Sequence, residues 1–411
     1  ELERAVERAA GWGDGGTAVE AALALALVKL LDGSGGSVGP IERALAVDGA
    51  PPDRRWQLEL RAAWLDRVRL GRGKTDARWA ALVATAPTER DRWVARARGV
   101  RAATLSDPER WWEQAEALVV ESASADPAAR AVVATTAAVR AYEAGRVELG
   151  TAHAARAVAL RRSLGDERSL IPDLHLLYTF LLAELRFAEA AGLEPELEAL
   201  LATCGQRRTE AHFAFDRARR LMEFGDPAAA EWWFFEARRQ MDQLGDAVDG
   251  HSPWLYVAAV WTNLGRFDDA VGACTRVIDT VPGLAVIARL MRGALRLEGD
   301  QLEASLEDLG CVDELPELKG NPMRARFEGA RACALARLGR PDRARFDEAV
   351  RAGRHDPMTA ALNELYRIDL ALAEGDGPEL AAARSAARAL VAQHSLPATS
   401  TYGAMAARRG A

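Results

Sequence analysis

The stretch "HSPWLYVAAVWTNLGRFDDAVGACTRVIDTVPGL", residues 251–284, decides the fold. Its apolar residues recur at three- and four-residue spacing, from Trp254 to Trp261 and again from Phe267 to Val277, which is the period of one helix face. Gly265 separates the two halves. Glycine tolerates the left-handed conformation in which helices end, and Arg266 follows in the tight turn. Ala258 and Ala270 are small enough for two antiparallel helices to approach closely. Pro282 closes the second half, because proline cannot continue a helix. The segment therefore predicts a helical hairpin.

The turn is a repeated phrase. "GRVELG" at 145, "GDPAAA" at 225, "GRFDDA" at 265, "GDQLEA" at 299 and "GRPDRA" at 339 share a glycine, a polar residue and, in most copies, an alanine five positions on. "LRFAEA" at 185 has Leu for Gly, and "GDGPEL" at 375 is a weaker copy. The spacings are 40, 40, 40, 34, 40 and 36 residues. A period of that size means a stack of two-helix units, none of which can bury its apolar face alone. Strand patterns are almost absent, while Ala, Leu, Arg and Glu, all strong helix formers, dominate.

Residues 251–284 resemble a tetratricopeptide repeat (TPR), with Trp254, Val257, Ala258, Trp261, Gly265, Phe267, Ala270, Cys274, Val277 and Pro282 in the signature positions. The next 34 residues repeat it with Gly299, Ala304 and Pro316, although Arg292 replaces the small mid-helix residue. The expected fold is all-α: a right-handed superhelical array of about nine antiparallel helix hairpins, a TPR-like α-solenoid. It is expected as one domain over 1–411, with a degenerate or capping hairpin at 1–52. Degenerate repeats follow at 53–250, the two best repeats at 251–318 and C-terminal repeats at 319–411. Upstream pairs are expected at 53–86, 87–122 and 126–162, and "DGSGGSVGP" reads as a flexible loop inside the first pair.

Composition excludes several classes. Apolar residues make up 49% and charged residues 27%, as in a globular, soluble chain. A net charge of −7, with Arg interleaved among Glu and Asp, lacks the clustered cations of a nucleic-acid binder. No run of about 20 apolar residues is long enough for a membrane helix. Cys204, Cys274, Cys311 and Cys333 form no CxxC pair and read as buried thiols in a reducing, cytoplasmic compartment. The chain starts without Met and ends without an obvious stop, so both ends read as cuts in a longer protein.

Catalytic and cofactor signatures are missing. "GRGKTD" at 71–76 suggests a phosphate loop, but the position that needs glycine is Val68 and "LDRVRL" before it reads as helix. Histidines 153, 175, 212, 251, 355 and 394 have neither HxxxH spacing nor a nearby Cys. No metal, no cofactor and no catalytic residue is expected.

A binding groove is the stronger reading. In TPR arrays the first helix of each pair lines the concave face, and the resemblance places Tyr142, His175, Thr179, His212, Phe215, Arg219, Glu223, Thr262, Asn263, Arg289 and Arg296 there. Thr135, Glu143, Met222, Ser252 and Leu255 fall in equivalent positions. This middle set is polar and aromatic, as a small polar ligand or a peptide requires, whereas the upstream positions around Ala95, Gly99 and Ala102 are Ala-rich. The run Trp232-Trp233-Phe234-Phe235 sweeps about 300° around a helix, so it reads as a packing seam between repeats that can bury three of the four.

The Ala-rich pairs of about 40 residues also resemble the helical-repeat sensor region of large ATP-binding LuxR-type (MalT-like) transcription regulators. That resemblance implies a non-catalytic domain that binds a small-molecule effector or a protein or peptide partner in its groove. It also implies no direct contact with nucleic acid or membrane, and self-association of the whole regulator. The alternative is a stand-alone TPR scaffold for a protein or peptide.

Overall fold

The computed structural model describes residues 1–32, 38–70, 75–104, 107–223, 226–244, 252–314 and 322–411. Residues 33–37 of the expected loop at 32–40, residues 71–74 of the GRGKTD stretch, Gly225, His251 and Pro316 lie outside them, as does the side chain of Ser252; Asp32, Gly39 and Pro40 of that loop are helical instead. The regular structure of the described residues is entirely helical.

The first 46 residues hold three helices, α1 (Leu2–Gly11), α2 (Gly15–Asp32) and α3 (Gly39–Ala46), where a single pair was expected. The reason is α2, which buries Ala18, Val19, Ala22, Leu23, Leu25 and Ala26 and so presents too much apolar surface for one neighbour. Thereafter helices alternate as first and second members of hairpins: α4 (Pro52–Leu70) with α5 (Asp76–Ala84), α6 (Glu89–Ala102) with α7 (Pro108–Glu121), and α8 (Pro127–Glu143) with α9 (Val147–Leu164). Then come α10 (Glu167–Ala183) with α11 (Phe187–Cys204), α12 (Arg207–Glu223) with α13 (Pro227–Gln243), and α14 (Ser252–Asn263) with α15 (Phe267–Thr280). The last pairs are α16 (Ala285–Glu298) with α17 (Leu302–Leu309), α18 (Pro322–Arg337) with α19 (Arg343–Gly353), and α20 (Pro357–Glu374) with α21 (Gly377–Gln393); a final α22 (Thr401–Arg408) follows.

The chain forms two compact units. Unit 1 comprises Glu1–Ala144, Leu149–Leu177 and Leu197–Arg208; unit 2 comprises Gly145–Glu148, Tyr178–Glu196 and Thr209–Ala411.

Turn chemistry follows the phrase, with instructive departures. Gly265 ends α14 with φ 76°, and Leu185 takes the same left-handed conformation at φ 61° without being glycine. In the next hairpin the left-handed residue is Asp300, at φ 62°, and not Gly299. The register has slipped by one, so Ser305 rather than Ala304 occupies the fully buried close-contact position and donates to the Gly293 carbonyl at 2.7 Å. Gly299 has a different reason to lack a side chain: a Cβ there would lie 3.1 Å from the Phe267 ring. At the following turn Ala344 is exposed, because α19 begins only at Arg343 and Phe346 takes the buried place.

The period is written into hydrogen bonds. The guanidinium of Arg140, fully buried, donates to the Val100 carbonyl at 2.9 Å and the Ala103 carbonyl at 2.8 Å, satisfying the open C-terminal end of α6 forty residues earlier. Arg337 does the same for Leu297 at 2.7 Å, again forty residues back, and Gln206 reaches the Arg168 carbonyl at 2.7 Å. Each capped end belongs to the first helix of the preceding hairpin or the start of that helix.

The four aromatics of α13 divide unevenly. Phe234 is completely buried and packs on Phe215 and Tyr256, with ring centroids 5.5 and 5.8 Å away. Trp233 is half-buried, whereas Trp232 is 58% exposed and Phe235 also reaches solvent. One ring is fully buried, not three: Trp232 stands T-shaped to Trp233 and Phe235 T-shaped to Trp254, and both keep a face in solvent.

Candidate binding groove

In unit 2 the first helices of successive hairpins, α14, α16, α18 and α20, present apolar side chains to a cavity of about 300 Å³. Tyr256, Met291, Phe327 and Tyr366 line it, one from each helix, and Met405 of α22 closes one side. Its polar groups are few: Thr262, Asn263, Glu298, Arg326, Thr401 and Arg408. An apolar cavity with a handful of polar groups is the usual form of a small-ligand or side-chain pocket.

The C-terminal helix is held here by charge and by hydrogen bonds. Arg409 donates to Glu298 at 2.8 Å and to Asp369 at 2.6 Å, and Arg408 reaches Glu298 at 2.8 Å. Burial alone raises the Glu298 pKa; the Arg409 and Arg408 guanidiniums outweigh it and hold the carboxyl below its ordinary value. At the other end of α22, Asn263 Nδ2 donates to Thr401 Oγ1 at 3.2 Å. Glu223 faces the same turn. Burial drives its pKa up to about 7, against the pull of the Thr401 hydroxyl, Arg219 and the Thr401 and Tyr402 amides. Its Oε2 has no hydrogen-bond partner among the described residues.

The sequence-selected residues therefore separate into groups. Thr262 and Asn263 line the cavity, although the Thr262 hydroxyl is bound back to the Ala258 carbonyl at 2.9 Å. Glu223 meets the α22 N-terminus, and Arg219 lies 2.9 Å from Asp216 and 3.8 Å from the Met358 sulfur. Phe215 packs edge-on to Tyr256 with centroids 4.7 Å apart. His212 is half-buried on α12. Thr179 donates to Asp216 at 2.8 Å, so its hydroxyl joins two consecutive first helices. Arg289 and Arg296 point the other way, toward α17 and the turn after it: Arg289 reaches Cys311 Sγ at 3.5 Å and Arg296 reaches Asp308 at 2.7 Å. Tyr142, 44% exposed, and His175, half-buried, belong to unit 1.

Sequence reasoning missed Glu298, Tyr366, Met405 and Arg408. Tyr366 precedes the weaker copy of the phrase at 375, Glu298 stands beside the turn at Gly299 but outside the positions counted as groove-facing, and α22 has no turn from which to count positions. The upstream trio was also misplaced. Ala95 and Ala102 share a core with Trp79, and a Cβ on Gly99 would lie 3.2 Å from the Trp79 Cβ, so this face of α6 is packed against α5.

No group of three or more His, Cys, Asp or Glu side chains gathers at metal-binding range among the described residues. None of their helices is long and apolar enough to cross a membrane. All four cysteines are free thiols, but Cys204 is half-buried where full burial was expected.

No protein-family model matches the chain, and no curated protein matches it. Among solved structures it is similar to a Rap protein complexed with Competence and Sporulation Factor, with a TM-score of 0.54 and 12% identity over 86% of this chain and 99% of that one. At that identity the likeness shows the fold: the chain is a TPR-like helical solenoid.

Proposed function

We propose that this chain is a TPR-like interaction scaffold whose unit 2 groove takes a peptide or protein segment. The observation that carries the reading is the apolar cavity, rimmed by Asn263, Glu298 and Arg326, to which four successive first helices contribute. Apolar anchors surrounded by a few directional polar groups suit one or two side chains of a bound segment. The similar Rap protein, solved with a factor bound, supports a binding role for this architecture. Phe215, Arg219, Glu223, Thr262 and Asn263 are assigned to one end of this groove.

Selection of a random peptide library on the immobilised protein tests the reading. Enriched peptides are expected to bind the wild type and to lose at least about ten-fold in affinity with Met291→Arg, which places a charge in the cavity. Failure to enrich any peptide, or binding indifferent to Met291→Arg, sinks it.

A narrower role, as the sensor segment of a LuxR-type regulator inside the cell, needs a nucleotide-binding module and a helix-turn-helix in the same polypeptide. The sequence of the flanking gene decides that, and their absence removes the narrower role while leaving the scaffold.

A further inference from the structure

We infer that α22 is an internal occupant of the unit 2 groove, and that the outside partner is a short helical segment of the same pattern: one large apolar residue followed three and four positions later by two basic residues. The inference rests on the groove reading above and names its partner. Thr401, Met405 and Arg408 share one face of α22, and that face lines the cavity. Arg409 directly follows the helix. The apolar residue of the pattern is Met405, and the basic pair is Arg408 and Arg409.

The polar groups that could read a ligand in this groove are already engaged, and α22 takes the central ones. Asn263 Nδ2 donates to Thr401 Oγ1 at 3.2 Å. Glu298 accepts from Arg408 and from Arg409, each at 2.8 Å, and Asp369 accepts from Arg409 at 2.6 Å. The Thr262 hydroxyl is turned back to the Ala258 carbonyl, and Arg326 lies 3.5 Å from the Asp356 carboxylate. A segment recognised through Asn263 and Glu298 has to take the place of α22. Two carboxylates facing two guanidiniums also set the charge of that segment, which is basic.

The resident helix is replaceable. It has eight residues, too few for a stable helix outside the fold. Gly403, Ala404, Ala406 and Ala407 make up half of it, so Tyr402 and Met405 are its large apolar side chains. The cavity of about 300 Å³ lies open beside Met405 with α22 in place. A partner with a larger side chain at the Met405 position fills that space and buries apolar surface that α22 leaves uncovered. This advantage offsets the tether, which presents α22 to the groove at an effective concentration on the order of millimolar.

Fluorescence anisotropy on the full chain tests this with three labelled peptides: the sequence of residues 400–411, its Met405→Trp version, and a Met405→Trp version that also carries Arg408→Ala and Arg409→Ala. The Met405→Trp peptide is expected to bind about ten-fold more tightly than the natural sequence, and loss of the arginines to weaken it by about ten-fold. Arg408→Ala in the protein loosens the resident helix at a side chain that is partly exposed and so mild for folding. That variant is expected to bind the Met405→Trp peptide about five-fold more tightly than the wild type does, because more of the groove is vacant. Hydrogen exchange on the wild type reads displacement directly: amides of α22 are expected to lose protection as the peptide saturates. No saturable binding of the Met405→Trp peptide to the Arg408→Ala protein, binding indifferent to the peptide arginines, or full protection of α22 at saturation overturns the inference. Peptides selected from a random library that depend on Met291 and leave α22 protected overturn it too, while the groove reading stands.

Discussion

Arg409 binds Glu298 with Nη2 2.8 Å from Oε1, although the two residues are 111 positions apart. Its Nε simultaneously holds Asp369, so one buried cation faces two carboxylates on different helices. Removing the cation leaves both charges desolvated. Arg409→Ala is therefore expected to lower the stability of unit 2 by about 3–5 kcal/mol, read as a fall in the urea midpoint. An unchanged midpoint would show that the triad contributes nothing.

Glu223 makes stability depend on pH near neutrality. Its pKa rises from 4.5 in the unfolded chain to about 7 in the fold, so the folded state holds its proton longer. Below pH about 4.5 both states are protonated and there is no penalty; between there and pH 7 stability falls; above 7 the full penalty, on the order of 3 kcal/mol, persists. Glu223→Gln removes a titrating group of nearly the same shape. The variant is expected to be more stable than the wild type above pH 7 and to match it near pH 4. Parallel melting-temperature profiles for the two proteins would refute this.

Phe234 and Trp232 are two residues apart on α13 and differ completely in burial, at 0% and 58% exposed. Phe234→Ala empties a site between Phe215 and Tyr256 and is expected to destabilise by about 3–5 kcal/mol. Trp232→Ala should change stability by no more than about 0.5 kcal/mol. Chemical denaturation of both variants compares them directly, and equal costs would place the packing seam elsewhere.

Asp300 adopts a backbone conformation that suits glycine better. Its ion pair with Arg337 is exposed, with 75% of the Asp300 side chain accessible, and contributes little. Asp300→Gly is expected to raise stability by up to about 1 kcal/mol. The opposite change next to it, Gly299→Ala, would push a Cβ against Phe267 and is expected to lower the melting temperature. A fall in melting temperature with Asp300→Gly would show that its side chain matters more than its backbone.

Hairpins were legible because their punctuation is chemical: Gly265, Asp226-Pro227 and the buried alanines carry the turn and the close approach in their own covalent structure. Periodicity even located Leu185, where tertiary packing overrides the preference for glycine. The one-residue slip at Asp300 was not legible, since Gly299 satisfies the pattern for a different physical reason, its contact with Phe267. The candidate groove was legible in part. Counting from each turn named Thr262 and Asn263, which line the cavity, and Glu223, which meets Thr401; it also named Arg289 and Arg296, whose hydrogen bonds run to Cys311 and Asp308. A long side chain can swing to a carboxylate that sequence spacing does not reveal. The residues of α22 were beyond reach, because their role comes from contacts with helices more than a hundred residues away.

Those contacts change how unit 2 unfolds. In an open stack of repeats each hairpin touches only its neighbours, so the end can peel away one hairpin at a time. Here Thr401 is tied to Asn263 and Arg408 and Arg409 to Glu298, so the end of the chain returns to α14 and α16. Hairpins α18–α19 and α20–α21 lie within that closed circuit and have no loose end from which to unzip. Contacts of such sequence separation also delay folding, since the intervening chain must close first. Amides in α18 and α20 should accordingly exchange with solvent together, in one concerted opening, rather than in a gradient falling toward the C-terminus.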